Sequence, residues 1–236
     1  MFQGGYMKKV KINGVIYGVR DGEVIVCGFD KDNCPALVHI EHEVQGKPVV
    51  QIRKGAFEYS DISIVEIPST INSISAGAFF ACHYLKQVSE YVVDTSNYMI
   101  TTGLNRIHPW VFVDENAFAN CESLTTVEFK KPFRYVYASA FEDCASLVNL
   151  YVQLGTIKKD AFKNCVALKE IYLGDNAHLS NDSIEKSGIS KLIVKDKLSY
   201  TTLMGKHMQA NHVRICCEAS SPVMEMAYLG FEVETI

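Results

Sequence analysis

Long apolar runs are absent from the sequence. No stretch approaches the roughly 18–20 consecutive apolar residues that a helix needs to cross a bilayer, so the sequence predicts no membrane span. The basic start at Lys8-Lys9 is not followed by an apolar segment. We therefore expect no signal peptide in this chain.

An excess of positive charge is missing too. The formal net charge is −4, and the densest basic run, residues 7–11, is short and borders a strand-like segment. Proteins that bind the phosphate backbone through electrostatics present a basic patch or stripe. The charge pattern therefore argues against a nucleic-acid partner.

The sequence also lacks the motifs of common catalytic and metal sites. It contains no phosphate-binding glycine loop, no nucleophile elbow and no HExxH pattern. His39 and His42 straddle the end of a predicted strand, whose alternation sends their side chains to opposite faces. His207 and His212 lack tetrahedral ligand spacing. We therefore predict no catalytic residue, no metal site and no cofactor, and we expect that the protein is not an enzyme.

The eight cysteines show no spacing that is typical of metal or redox motifs. Four of them recur at one place in an internal repeat, where we expect a small apolar residue to point inward: Cys82, Cys121, Cys144 and Cys165. Cysteine is among the most frequently buried residue types, so we expect reduced, mostly buried thiols. This expectation favours a reducing compartment.

The sequence does contain a motif that recurs about every 22 residues between Gln51 and Val194. A phenylalanine-like position marks each copy, with steps of 22, 39, 23, 21 and 22 residues: Phe57, Phe79, Phe118, Phe141, Phe162 and Ile184. Alanine precedes this position in five copies, and an aliphatic residue stands five positions before it in all six. Such a period is typical of solenoid proteins, in which each repeat packs only on its neighbours.

Each copy predicts a short strand and a tight turn. An alternating apolar pair follows the phenylalanine-like position eight or nine residues later, which indicates a strand with one buried face. The Ala-Phe-x-x-Cys segment is too short for a full helix and predicts a single turn or a 3₁₀ piece. The apolar series eight residues before the phenylalanine includes Trp110 and Phe133, so we expect both in the core.

These residues resemble a known family. The copy Ile62-Ser-Ile-Val65-Glu-Ile67-Pro68, completed by Gly77-Ala-Phe79-Phe-Ala-Cys82, is similar to the BspA-type leucine-rich repeat of many surface and secreted bacterial proteins. The resemblance implies a β-rich leucine-rich repeat solenoid of about six coils of ~22 residues, with a parallel concave sheet and short 3₁₀ or α turns. It also implies a bacterial cell-surface protein that acts in adhesion or protein binding, and it implies no catalytic residues.

The chain divides into three predicted parts. Residues 1–50 contain β-rich runs and the turn pair Asp21-Gly22, which indicate a β-hairpin cap over the open end of the solenoid. Residues 51–195 form the repeat array. Residues 196–236 form an α/β cap, with helices expected at about 198–209 and 222–229 around short strands.

One step in the array is much longer than the others and marks an insertion at about 89–106. Within it, Tyr91-Val-Val93 and Tyr98-Met-Ile100 flank a polar turn and predict a hairpin. Insertions in repeat proteins often lie at the binding face. A tolerated surface loop is the alternative, and the sequence favours neither.

The candidate functional residues lie between the buried strand positions and therefore point to solvent. Tyr151 and Tyr172 are expected to form an aromatic pair one coil apart, with Glu66 and Glu128 in the same row. Tyr91 and Tyr98 belong to the predicted hairpin. Tyrosine is frequent at interface hot spots because its ring buries area while its hydroxyl still pairs. It is also a good strand residue, and both interpretations stay open.

Two functions agree with these features. In the first, the chain is a non-catalytic recognition module that binds a protein, of a host or a cell surface, through the concave sheet and the inserted hairpin. In the second, it is a structural spacer segment of a larger surface or assembly protein, with no specific partner of its own. The sequence identifies neither the partner nor the oligomeric state. The resemblance favours a secreted or surface location, whereas the missing signal peptide and the unpaired cysteines favour the cytoplasm or a trimmed chain.

Overall fold

The repeats wind into a β-solenoid. The computed structural model describes residues 7–20, 22–33, 35–95, 107–180 (only the backbone at 175–176), 182–194, 212–218, 227 and 232–235. Within these ranges, eighteen strands are joined by turns, and one hydrophobic core runs the length of the array. This is the predicted leucine-rich repeat solenoid.

Three antiparallel strands open the fold. β1 (Lys8–Ile12) pairs with β2 (Val15–Arg20), and β2 pairs with β3 (Glu23–Phe29). The β2–β3 pair is the expected hairpin. β3 then pairs in parallel with β6 (Lys47–Ile52), so the hairpin joins the solenoid directly.

The repeats contribute strands to two parallel sheets. The first sheet consists of β4 (Leu37–His39), β7 (Ile64–Pro68), β9 (Gln87–Tyr91), β11 (Thr126–Glu128) and β13 (Asn149–Tyr151). The second sheet continues from β6 through β8 (Ser73–Ile74), β10 (Val111–Val113), β12 (Phe133–Val136) and β14 (Gln153–Ile157), with β5 (Glu43–Val44) antiparallel to β6. The alternating apolar pairs of the earlier copies lie in the first sheet, whereas those of the last two copies, Ile171/Leu173 and Leu192/Val194, lie in the second. The aliphatic position five residues before the phenylalanine also lies in the second sheet.

Four further parallel strand pairings complete the second sheet. β15 (Glu170–Leu179) pairs with β14 at two places and with β16 (Lys191–Val194) through its first half. β17 (Arg214–Cys217) and β18 (Val233–Thr235) extend the sheet. The helices predicted at 198–209 and 222–229 fall almost entirely outside the described residues.

A stack of phenylalanine rings fills the interior, as the repeat predicts. All five rings are fully buried, and successive rings lie parallel with centroids 5.0–5.3 Å apart: Phe57, Phe79, Phe118, Phe141 and Phe162. The backbone N–H of each donates a 2.8 Å hydrogen bond to the next copy, for example from Phe118 to the carbonyl of Ala140. Ring stacking and this ladder together fix the spacing between coils.

The repeat cysteines lie beside this stack. Each thiol donates to the carbonyl of the phenylalanine one copy earlier at 3.0–3.1 Å, as Cys144 does to Phe118 and Cys165 to Phe141. All four are buried and free. The slot therefore takes a small side chain that also carries a hydrogen-bond donor.

The Ala-Phe-x-x-Cys segments are successive tight turns. In the first copy the N–H groups of Ala56, Glu58 and Ser60 each bond to a carbonyl three residues earlier. The residues two before and two after the phenylalanine have positive φ in five copies, as Asn116 and Asn120 do around Phe118. Glycine, asparagine and aspartate tolerate this conformation best, which explains why they recur there.

Trp110 is not the core residue that the series predicted. The return from the insertion enters the sheet one residue later, so that Val111 pairs with Phe133 and is fully buried. Trp110 is only half-buried, and the Arg134 guanidinium lies 4.7 Å from its ring centroid. The same one-residue shift occurs late in the array, where Ala177 takes the buried place that the series assigned to Asn176.

Candidate recognition surfaces

The outward side chains of the first sheet form one row across five coils. The pairing register places them in the order His39, Glu66, Ser89, Glu128 and Tyr151. Glu128 and Tyr151 are therefore direct neighbours, whereas Glu66 lies two coils from Glu128. The alternation of buried and outward positions that the sequence predicted is what places these side chains together.

At the N-terminal end of the row, side-chain contacts join three of these coils. His39 Nδ1 lies 2.8 Å from Glu66 Oε2, and the ring of Tyr91 stacks on His39 with centroids 4.6 Å apart. The Tyr91 hydroxyl donates to the carbonyl of Ile40 at 2.6 Å. Tyr91 and Glu66 thus already have partners within the protein, and both hold β4 in the sheet.

Tyr151 and Tyr172 do not meet as the repeat spacing predicted. Gln153, rather than Tyr151, is opposite Tyr172, because β14 takes over the pairing with β15. Each hydroxyl donates to the residue two before it on the same strand, Tyr151 to Asn149 at 3.2 Å and Tyr172 to Glu170 at 3.1 Å. The two tyrosines remain close enough to interact electrostatically.

Burial is the main cause of a raised pKa at Tyr172. The hydrogen bond to Glu170 and that carboxylate's charge add to it, and Tyr151 contributes last. Glu170 also lies 3.6 Å from the Lys191 ammonium. Tyr172 therefore sits in a polar network, while Tyr151 is 52% exposed.

The base of the insertion is anchored by buried polar contacts. The N–H of Val93 donates to Ser69 Oγ, and the Lys131 ammonium donates to the carbonyls of Ser69 and Ile71 at 3.0 and 2.7 Å. Burial lowers the pKa of Lys131 to about 8, against the opposing effect of Glu90. Tyr98 and the second arm of the predicted hairpin lie outside the described residues.

The second sheet carries an outward cluster that the sequence analysis missed. Phe112 and Tyr135 stack at 5.7 Å, Tyr135 and Tyr137 at 5.8 Å, and Arg134 lies over both Trp110 and Tyr135. The alternation in Val111-Phe112-Val113 was the available signal, because it turns Phe112 to solvent. The apolar pattern alone does not show the register shift between β10 and β12, which leaves Arg134 exposed and Trp110 half-buried.

The described residues show little that could support catalysis or metal binding. In the described part of the chain, no group of three histidine, cysteine, aspartate or glutamate side chains is placed to hold a metal ion. Two shallow depressions near the N-terminal strands are lined by Lys11, Asn13 and Asn33 and by Lys31, Glu58 and Tyr59 among others, and none of their described lining residues is a histidine or a cysteine. None of the described helices is long and apolar enough to span a membrane.

Solved structures with this fold come from bacterial leucine-rich repeat proteins. A leucine-rich repeat protein of T. pallidum is 20% identical, with a TM-score of 0.56 over 96% of this chain and 98% of that one. The pneumococcal vaccine antigen PcpA is 18% identical, with a TM-score of 0.53 over 79% of this chain and 50% of that one. At such identities the likeness concerns the fold alone. No curated protein matches the chain in sequence.

The repeat motif itself matches a family model. The BspA type leucine rich repeat region matches in six copies over residues 50–102 and 104–204. This range covers more than half of the chain and agrees with the six copies counted from the phenylalanine positions. The chain belongs to the BspA-type leucine-rich repeat family.

Proposed function

We propose that the chain is a non-catalytic module that recognises a protein through the outward row of the first sheet together with Tyr172, which lies near Tyr151 on β15 of the second sheet. The observation that carries this proposal is Tyr151, whose ring is 52% exposed next to Glu128 on a regular, rigid sheet. An exposed aromatic ring on a strand offers apolar area at little cost in flexibility. The family is one whose repeats serve protein recognition or act as surface repeats.

Both tyrosines are held in position before any partner arrives. The hydrogen bonds from Tyr151 to Asn149 and from Tyr172 to Glu170 restrict the two side chains. Ordering a side chain on binding costs roughly 0.5–1.5 kcal/mol, so part of that cost is already met in the free protein. Glu66 and Glu170 are already paired with His39 and Lys191, so Glu128 is the carboxylate beside Tyr151 that favours a basic group on the partner.

The proposal is tested by comparing the proteins recovered by wild type and by the double variant Tyr151→Ala, Tyr172→Ala. Quantitative mass spectrometry should find a partner that wild type retains and the double variant loses. Tyr84→Ala is the matched control, since Tyr84 is 61% exposed and lies outside the row.

Equal recovery by all three proteins would contradict recognition through this row. Recovery of no partner by wild type would favour the spacer function. The hairpin that the sequence predicts for the insertion, with Tyr91 and Tyr98, belongs to the same proposal as an edge of the binding face. Deleting residues 95–105 should weaken recovery of the same partner if this edge contributes.

A further inference from the structure

The outward face of the second sheet carries a cluster of aromatic side chains. The pairing register makes Phe112, Tyr135 and Thr156 direct neighbours on three successive coils. We call Trp110, Phe112, Arg134, Tyr135 and Tyr137 the aromatic–arginine platform. Ring contacts of 5.7–5.8 Å join its phenylalanine and two tyrosines into one surface.

A β-bulge creates the platform. Val111 pairs with Phe133 and Phe112 pairs with Tyr135, so Arg134 is an extra residue with no counterpart on β10. Bulges commonly re-aim a side chain, and here the guanidinium is placed 4.7 Å from the centroid of Trp110 and 5.8 Å from that of Tyr135. Aromatic faces on a guanidinium hold its plane while leaving its N–H edges available.

The next coil accommodates this bulge with a glycine. A Cβ at Gly155 would lie 2.5 Å from the carbonyl oxygen of Arg134. A side chain at this position would therefore collide with the backbone of the bulge, and only glycine lets β14 pair closely with β12 there. Arg134 itself is exposed.

Arg134 has no acidic partner among the residues that the structure describes. None of the ion pairs among the described residues includes it. Tyr137 is flanked by Asp114 on one coil and Lys158 on the other, since the N–H of Tyr137 donates to the carbonyl of Val113 and the N–H of Lys158 donates to that of Val136. The platform is thus locally positive, on a chain whose formal net charge is −4.

We propose that the aromatic–arginine platform binds an extended, acidic protein segment with apolar residues between its carboxylates. The guanidinium fork binds one carboxylate through two parallel hydrogen bonds, and the rings of Phe112, Tyr135 and Tyr137 receive the intervening apolar side chains. Tryptophan, tyrosine and arginine are the residue types that dominate protein interface hot spots. This surface is separate from the row on the first sheet, and the inference does not depend on that row binding anything.

A protein segment fits this surface better than an acidic polysaccharide. The platform is open and mostly apolar, with few hydroxyls or amides to meet the many hydroxyls of a sugar chain. The negative net charge of the protein repels any acidic partner, so binding has to come from one ion pair and from apolar contacts, which the apolar residues of a protein segment supply and a sugar chain does not. Proline is a suitable apolar residue, since it keeps a segment extended and docks on aromatic side chains.

The probe is a labelled twelve-residue peptide of alternating glutamate and proline, titrated by fluorescence anisotropy. We expect saturable binding that Arg134→Ala weakens about tenfold or more, and Arg134→Lys nearly as much, because lysine lacks the planar fork. The emission of Trp110, the single tryptophan, should change along the same curve. Lys186→Ala, which removes an exposed cation in the last copy of the repeat, and the Tyr151→Ala, Tyr172→Ala variant should bind as wild type does.

Three outcomes would overturn the proposal. They are no saturable binding at millimolar peptide, an equal loss in Lys186→Ala, and tighter Arg134-dependent binding of polygalacturonate than of the peptide. The exposed position of Arg134 keeps its variants folded, which circular dichroism verifies, so a loss of binding is not confused with unfolding. A peptide alternating lysine and proline serves as the charge-reversed control and should not bind.

Discussion

Each buried thiol of the repeat acts at the residue scale as a donor to the phenylalanine of the neighbouring coil. Burial raises the pKa of the Cys144 and Cys165 thiols above the ordinary range. Since the thiolate is the reactive form, these cysteines are protected both by position and by protonation. Their recurrence therefore has a packing and hydrogen-bonding reason rather than a chemical one.

Thiol labelling of the native protein should distinguish the cysteines. At pH 8 we expect a thiol reagent to modify Cys27, which is half-buried, well before any of the fully buried Cys82, Cys121, Cys144 and Cys165. Residue-level mass spectrometry after timed quenching measures the order, and urea should equalise the rates. Native modification of the repeat cysteines as fast as Cys27 would contradict their burial.

Lys131 predicts a defined pH dependence of stability. Its folded pKa of about 8 lies below the ordinary value of 10.5, so between these values the unfolded state binds more protons. The free energy of unfolding contributed by this group therefore rises with pH across that window and is lowest below pH 8. One proton limits the slope to about 1.4 kcal/mol per pH unit.

Lys131→Met removes this titration and both hydrogen bonds to Ser69 and Ile71. The difference in free energy of unfolding, wild type minus variant, should increase from pH 8 to pH 10 in urea denaturation. Comparing the two proteins cancels the other groups that titrate at alkaline pH. A difference that stays flat or falls would show that Lys131 keeps an ordinary pKa in the folded protein.

At the scale of single strands, register shifts decide which residues are offered to solvent. β12 and β14 carry one residue more than β10 between the same paired positions. An extra residue of this kind leaves the apolar pattern of the sequence nearly unchanged. The sequence therefore predicted the strands correctly but placed Trp110 in the core. The candidate row on the first sheet was accessible to sequence reasoning because strict alternation defines it. The platform on the second sheet was not, since it depends on the bulge at Arg134.

Gly155→Ala tests the bulge directly. The added Cβ would lie 2.5 Å from a backbone oxygen of β12, whereas at Gly174 the nearest atom is 3.6 Å away. We expect Gly155→Ala to lower the free energy of unfolding by about 1–3 kcal/mol and to shift the emission of Trp110. Gly174→Ala is the matched control and should change the emission little. Identical spectra for both variants would argue against the close approach of β12 and β14.

At the scale of the whole molecule, coils interact mainly with their neighbours through the ring stack and its hydrogen-bond ladder. Phe118 lies at the centre, 5.1 Å from Phe79 and 5.0 Å from Phe141. In such an array, damage to a middle coil separates the two halves. The sequence predicted this stack in full, because the period and the invariably apolar position are direct consequences of burying one ring per coil.

Phe118→Ala should therefore destabilise the array strongly. We expect a loss of about 3–5 kcal/mol in the free energy of unfolding, the usual cost of removing a buried aromatic side chain. Tyr84→Ala, on an exposed ring, should stay within about 0.5 kcal/mol of wild type. Chemical denaturation of both variants measures the contrast, and a loss at Phe118 as small as at Tyr84 would refute the stack as the main stabilising feature.

The central claim is that buried side chains hold the solenoid together while the outward row of the first sheet performs recognition. The most direct test is the affinity of the partner recovered by wild type for Tyr151→Ala, Tyr172→Ala, measured beside the thermal midpoint of the same protein. We predict that the dissociation constant rises about tenfold or more while the midpoint stays within about 4 °C of wild type. An unchanged dissociation constant, or a loss of binding that appears only together with unfolding, would contradict the claim.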